Sequence, residues 1–118
     1  RYSTSRRIIT DAQNIVKDRY MEPALSLDDV CADLGVSNSY FSSIFKKETG
    51  QTISNYIRDK KIETAKNMLL YSDFSPSEIA SILAFPSQSY FTEVFRKTTG
   101  VTPRKYQESF LRTTALGK

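Results

Sequence analysis

Apolar residues along the chain return mainly at intervals of three and four, the period of a helix with one buried face, and no segment alternates strictly enough to form a strand. Residues 6–20 carry Ile8, Ala12, Ile15, Val16 and Arg19 at that spacing, with Pro23 marking a stop beyond the helix end. Val30 and Leu34 lie four apart, followed by Gly35 as a helix terminator and Ser37 as the next cap. Phe41, Ile44 and Phe45 then form a second stripe that Gly50 closes. From Thr52 to Tyr71 the ladder Ile53, Ile57, Ala65, Leu69 predicts a helix of about 20 residues and roughly 30 Å. Ser75-Pro76-Ser77-Glu78 reads as a capping box with proline at the first helical position, and Ile79, Ile82 and Leu83 form its inward face. Phe91, Val94 and Phe95 make another stripe after the cap Ser87, and Thr102-Pro103 opens a last helix reaching about Leu111. The expected fold is all-α, with about seven helices.

Aligned with itself, the chain shows an internal repeat. Ser39-Tyr40-Phe41, Phe45, Lys47, Thr49-Gly50 and Thr52 recur 50 residues later, eight identities in fourteen positions. Further upstream the match continues at an offset of 49, pairing Ser26 with Ser75, Val30 with Ile79, Leu34 with Leu83 and Val36 with Phe85. The second copy therefore holds one extra residue near Pro86-Ser87. Each copy, under 30 residues, is two short helices joined by about three residues, the helix-turn-helix pattern. The organisation expected is a first helix-turn-helix subdomain over 1–51, a connecting helix over 52–71 and a second subdomain over 72–118.

Composition narrows the chemistry. Leu, Ile, Val and Phe total 29 of 118 residues, above the roughly 20% below which disorder becomes the better expectation, so the chain should fold. The net charge of +4 permits an anionic partner without requiring one. There is no histidine and a single cysteine, Cys31, which removes the commonest neutral-pH base and the usual nitrogen and sulfur metal ligands. No nucleophile with a base and no phosphate-cradling glycine loop is found, so neither catalysis, a metal nor a cofactor is expected. Cys31 aligns with Ala80 in the repeat, a place for a small packed side chain. No apolar run is long enough to cross a bilayer, and the first residues do not resemble a signal peptide, so no membrane association and a cytoplasmic setting are expected.

Ile79-Ala80, Phe85, Ser89-Tyr90-Phe91, Phe95-Arg96-Lys97, Gly100-Val101-Thr102-Pro103 and Tyr106 resemble the signature of the AraC/XylS-type transcriptional regulators. Leu34-Gly35-Val36-Ser37, Ser39-Tyr40-Phe41 and Phe45 to Gly50 resemble that family's first helix-turn-helix, and Asp59 to Lys66 with Leu69-Leu70 its connecting helix. The resemblance implies a bipartite double-stranded-DNA-binding domain, fused in the full-length protein to a sensing or receiver domain, with RNA polymerase as a further partner. Where the family usually has glycine in the second turn this chain has Ala84, which predicts a turn bent differently with the help of Pro86. Lys61 stands where the family usually has arginine; its stem is expected to pack while its amine snorkels to the surface. Tyr40 and Tyr90 are expected to be half-buried beside the core phenylalanines.

With the phenylalanines turned inward, the recognition helices, about 38–49 and 88–99, present Asn38, Ser39, Ser42, Ser43 and Lys46 in the first copy and Gln88, Ser89, Thr92, Glu93 and Arg96 in the second. The family's base-reading positions map onto these. Arg96 can pair with guanine edges or clamp a phosphate, Gln88 suits adenine, and Glu93 can accept from cytosine N4. Phosphate contacts are expected from Lys46, Lys47, Lys97, Arg104 and Lys105 and from the helix starts at Ser26, Ser75 and Thr102. A connecting helix of roughly 30 Å suits the roughly 34 Å between successive major grooves. The competing expectation is a protein-interaction module that reuses the helix-turn-helix fold.

Overall fold

The computed structural model describes residues 4–22 and 25–116, with side chains to residue 109. Among the described residues there are seven helices and no strand: α1 (Thr4–Arg19), α2 (Leu27–Leu34), α3 (Asn38–Thr49), α4 (Ile53–Tyr71), α5 (Pro76–Ile82), α6 (Gln88–Thr99) and α7 (Pro103–Leu116). The all-α expectation holds. Helix α7 runs five residues beyond the expected end at Leu111, and Pro23 lies outside the described residues. The chain divides into two compact units between Lys60 and Lys61, within α4.

In the first unit, α1, α2, α3 and the start of α4 close around Ile9, Ala12, Val16, Val30, Cys31, Phe41, Phe45, Ile53 and Ile57. The buried face of α1 is centred on Ile9, Ala12 and Val16, with Ile8 and Ile15 packed at its flanks. The expected stripe was therefore rotated by about one residue, because the adjacent Ile8 and Ile9 offer two registers and only one faces α2 and α3. Arg19 leaves that stripe altogether: its guanidinium donates to Glu22 at 3.0 Å and to Asp33 at 2.6 Å on the surface. Cys31 is buried as expected, and burial raises its thiol pKa.

The second unit buries Ile62, Ala65 and Leu69 of α4 together with Ile79, Ala80, Leu83, Phe85, Phe91, Val94 and Phe95. Ile82, expected inside, is 39% exposed. Its counterpart in the first unit is Asp33, a surface ion-pairing residue, so position 82 lies on the outer side of the helix in both copies. Lys61 is half-buried: its amine lies over the Phe85 ring, 5.3 Å from its centre, and burial lowers its pKa. Tyr40 and Tyr90 are 44% and 40% exposed, close to the half-burial expected, with the Tyr90 ring 6.1 Å from that of Phe85.

The turns explain how the repeat survives its one-residue insertion. In the first unit Gly35 takes φ 70°, and the Gly35 and Val36 amides donate to Cys31 O at 2.8 and 3.2 Å. In the second, Ala84 takes φ 61°, and the Phe85 amide donates to Ala80 O at 2.9 Å. The expected re-bending at Ala84 does not occur, because the alanine accepts the left-handed conformation that its glycine counterpart adopts freely. Pro86 is the inserted residue: Phe85 keeps the hydrogen bond of Val36, and Ser87 keeps the cap of Ser37.

The repeat also runs further than its upstream identities indicate. Tyr56 meets Phe45 edge-on at 5.6 Å and Tyr106 meets Phe95 at 5.5 Å. The Thr49 and Thr99 hydroxyls donate to Phe45 O at 2.7 Å and Phe95 O at 2.8 Å, and Thr52 and Thr102 cap α4 and α7. Each copy is thus three helices and more than 30 residues, longer than expected, with α4 and α7 as equivalent third helices.

Candidate nucleic-acid interface

In each unit a serine cap and a phenylalanine pair set the orientation of the second helix. Ser37 accepts from the Tyr40 amide at 3.2 Å and Ser87 from the Tyr90 amide at 3.1 Å, fixing where α3 and α6 begin. Phe41 and Phe45, and Phe91 and Phe95, are fully buried, each burial stabilising by roughly 1.5–3 kcal/mol. With one face of each helix so anchored, the opposite face is left to solvent.

On α6 that face carries Gln88, Ser89, Glu93, Arg96 and Lys97 exposed and Thr92 half-buried. Gln88, Ser89, Thr92, Glu93 and Arg96 line one open groove of about 610 Å³. Five sequence-predicted residues are therefore brought to a single surface. Among the described residues neither Glu93 nor Arg96 has an ion-pair partner, and the Gln88 amide has no hydrogen bond, so donors and acceptors of both kinds are left for a ligand. On α3 the residues Asn38, Ser39, Ser42, Ser43, Lys46 and Lys47 are all exposed. The Asn38 amide is already engaged, donating to Asp28 Oδ1 of α2 at 2.6 Å, a bond across the turn that the sequence did not announce.

The helix starts differ in what they leave open. The Ser26 amide and hydroxyl both donate to the Asp29 carboxylate, at 3.0 and 3.1 Å. At Ser75 the amide donates to Glu78 Oε1 at 2.8 Å, and the Glu78 amide returns to Ser75 Oγ at 3.2 Å. Carboxylates from the chain itself therefore occupy the positive first turns at both places. Thr102 accepts from the Lys105 amide at 3.1 Å, and Arg104 and Lys105 stand exposed beside it. The α2 acids are all engaged: Asp28 by Asn38, Asp29 by Ser26 and Asp33 by Arg19. Among the described residues no group of three metal-ligating side chains forms, and no helix is long and apolar enough to cross a membrane.

Residues 16–109 match the family model described as a helix-turn-helix domain. The structure superposes with a TM-score of 0.82 and 25% identity on a transcriptional regulator of the AraC-type DNA-binding-domain proteins from Chromobacterium violaceum, covering 90% of this chain and 94% of that one. The chain belongs to the AraC/XylS-type helix-turn-helix family. It is a DNA-binding domain of that family of transcription regulators. Among its AraC/XylS-type relatives is the xylose operon regulatory protein of Escherichia coli K12, 33% identical over 112 residues that make up 92% of this chain and 29% of that protein. The chain thus spans under a third of that relative's length. The C-terminal domain of AraT, a response regulator from Geobacillus stearothermophilus, shares the AraC/XylS-type fold with a TM-score of 0.85 and 28% identity over 91% of this chain and 88% of that one.

Proposed function

We propose that the chain binds double-stranded DNA sequence-specifically, with α3 and α6 as recognition helices in adjacent major grooves. The observation that carries this reading is the outer face of α6, where Gln88, Ser89, Thr92, Glu93 and Arg96 line one groove with their polar ends unclaimed. A helix fits the major groove, and these side chains match its code: Arg96 for guanine O6 and N7, Gln88 for adenine, Glu93 for the cytosine amine. On α3 the base-facing set is Asn38, Ser39, Ser42 and Ser43, shorter side chains that supply fewer hydrogen bonds each. Lys46, Lys47, Lys97, Arg104 and Lys105, with the helix start at Thr102, hold the phosphates and so set the register, whereas the starts at Ser26 and Ser75 are filled by Asp29 and Glu78.

The repeat supports the use of both helices, since each unit anchors its recognition helix by the same caps and phenylalanines. Nineteen residues of α4, about 28 Å of helix, serve as the spacer between subdomains 1–51 and 72–118. The longer relatives support a full-length protein that carries a further domain; a sensing or receiver role for that domain, a cytoplasmic setting and RNA polymerase as a partner belong to the same proposal.

The test is a salt titration on duplexes selected from a random pool. Binding through about six phosphates should make log K fall against log salt with a slope near about −5. A flat response, or a footprint confined to half a helical turn, contradicts the two-groove reading.

A further inference from the structure

Asn38 is the first residue of α3, and the N-terminal residues of a recognition helix are those that meet base edges. A free asparagine on such an edge can rotate its amide by half a turn and present either its oxygen or its nitrogen. Asn38 is not free in this sense, because Asp28 of α2 lies 2.6 Å from it. An ionised carboxylate only accepts hydrogen bonds, so the group turned toward Asp28 is the amide nitrogen. The amide is planar, and fixing its nitrogen fixes its oxygen on the side away from Asp28. The second unit is an internal comparison: position 28 corresponds to Ser77, Asn38 to Gln88, and Gln88 makes no such bond among the described residues.

We propose that Asp28 is a specificity-determining positioning residue, which holds the Asn38 amide in one orientation so that its oxygen accepts from a base bearing an exocyclic amine, adenine or cytosine. This rests on the reading of α3 as a recognition helix. Guanine and thymine present carbonyl oxygens at the corresponding place in the major groove, against which the fixed acceptor is unfavourable; the second N–H of the amide is the one donor left to them, so they are disfavoured and not excluded. Asp28 also brings a negative charge to the start of the recognition helix, where it opposes phosphate. Orientation is therefore gained at the expense of sequence-independent affinity.

The experiment uses the 118-residue chain with duplexes that it selects from a random pool. Asn38→Ala identifies the base pair that Asn38 reads, as the one where preference is lost. At that pair the unaltered chain is expected to favour adenine or cytosine over guanine and thymine on one strand. Asp28→Ser, which installs the residue of the second unit, should reduce this preference about fivefold and raise affinity for unselected duplex. Asp28→Asn keeps an oxygen that can accept from Asn38 while removing the charge, so it should retain most of the preference and still bind unselected duplex more tightly. In an Asn38→Ala background, Asp28→Ser should no longer change base preference. Circular dichroism checks the helix content, with Asp28→Ala used in place of Asp28→Ser if the serine variant loses helicity.

Unchanged preference in Asp28→Ser overturns the proposal, as does an equal loss with and without Asn38, or an Asn38→Ala variant that loses preference at no base pair. A chain that selects no duplex at all is a different result, which removes the DNA-binding reading and this inference together.

Discussion

Ala84 holds φ 61° where Gly35, its counterpart, holds 70°. For a residue with a Cβ the left-handed region costs about 1 kcal/mol or more relative to glycine. Ala84→Gly is therefore expected to stabilise the second unit by about 1 kcal/mol, and Gly35→Ala to destabilise the first by a similar amount. Nothing lies within 4 Å of a Cβ built on Gly35, so the second effect would be conformational and not a clash. Thermal melts of the two variants check the pair, and a lower melting temperature for Ala84→Gly would show that the angle is unstrained. The sequence showed where this turn falls but not its shape, since the reluctance of one alanine is outweighed by the Phe85 amide bond and by burial of Leu83 and Phe85 on either side. The Asp28–Asn38 bond was not legible either. Ten residues and a turn separate the two, and only their three-dimensional approach reveals it.

At the scale of elements, the caps could be read directly because their chemistry is local: Ser75 with Glu78 and Ser87 with the Tyr90 amide occur as their spacing indicates. Faces were harder where apolar residues adjoin one another, as at Ile8-Ile9, or where an isoleucine ends a short helix, as at Ile82. The repeat held the correction for the latter, because Asp33 occupies the equivalent place. The Tyr56 and Tyr106 pair was likewise present at the same offset of 50. On α4, Lys61 interrupts the apolar ladder with its amine over Phe85 and its pKa lowered by burial. Because the folded pKa lies below the unfolded one, the unfolded chain holds more protons between the lowered value and about 10.5, and this residue's contribution to stability rises with pH across that window. Its unfavourable contribution is complete below the lowered value. Lys61→Met, which keeps the stem packing, should be at least as stable as the unaltered chain near neutral pH, with the difference shrinking as pH rises toward about 10.5. Denaturant midpoints measured at several pH values test this, and a difference that widens with pH contradicts it.

For the whole molecule, the net charge of +4 says less than the distribution of charge between the two recognition faces. The α6 face offers Arg96, Glu93 and Gln88, and the α3 face offers three serines and an asparagine already held by Asp28. Arg96→Ala should therefore weaken binding to selected duplex at least several-fold, and Ser39→Ala should matter less, its hydroxyl being limited to one short contact. Equal losses measured by fluorescence anisotropy would contradict that ranking. The residues of both faces were legible from the repeat, because heptad-like spacing and buried phenylalanines leave few choices of outer side. Their engagement with neighbours was not, because it depends on which helix each start meets. The division between the two units falls inside α4, with Ile57 the last core residue of one and Ile62 the first of the next. A chain cut at Lys60 would end in mid-helix, leaving the last four carbonyls without their partners. A fragment encoding one unit alone must then borrow several α4 residues from the other to close its last turn.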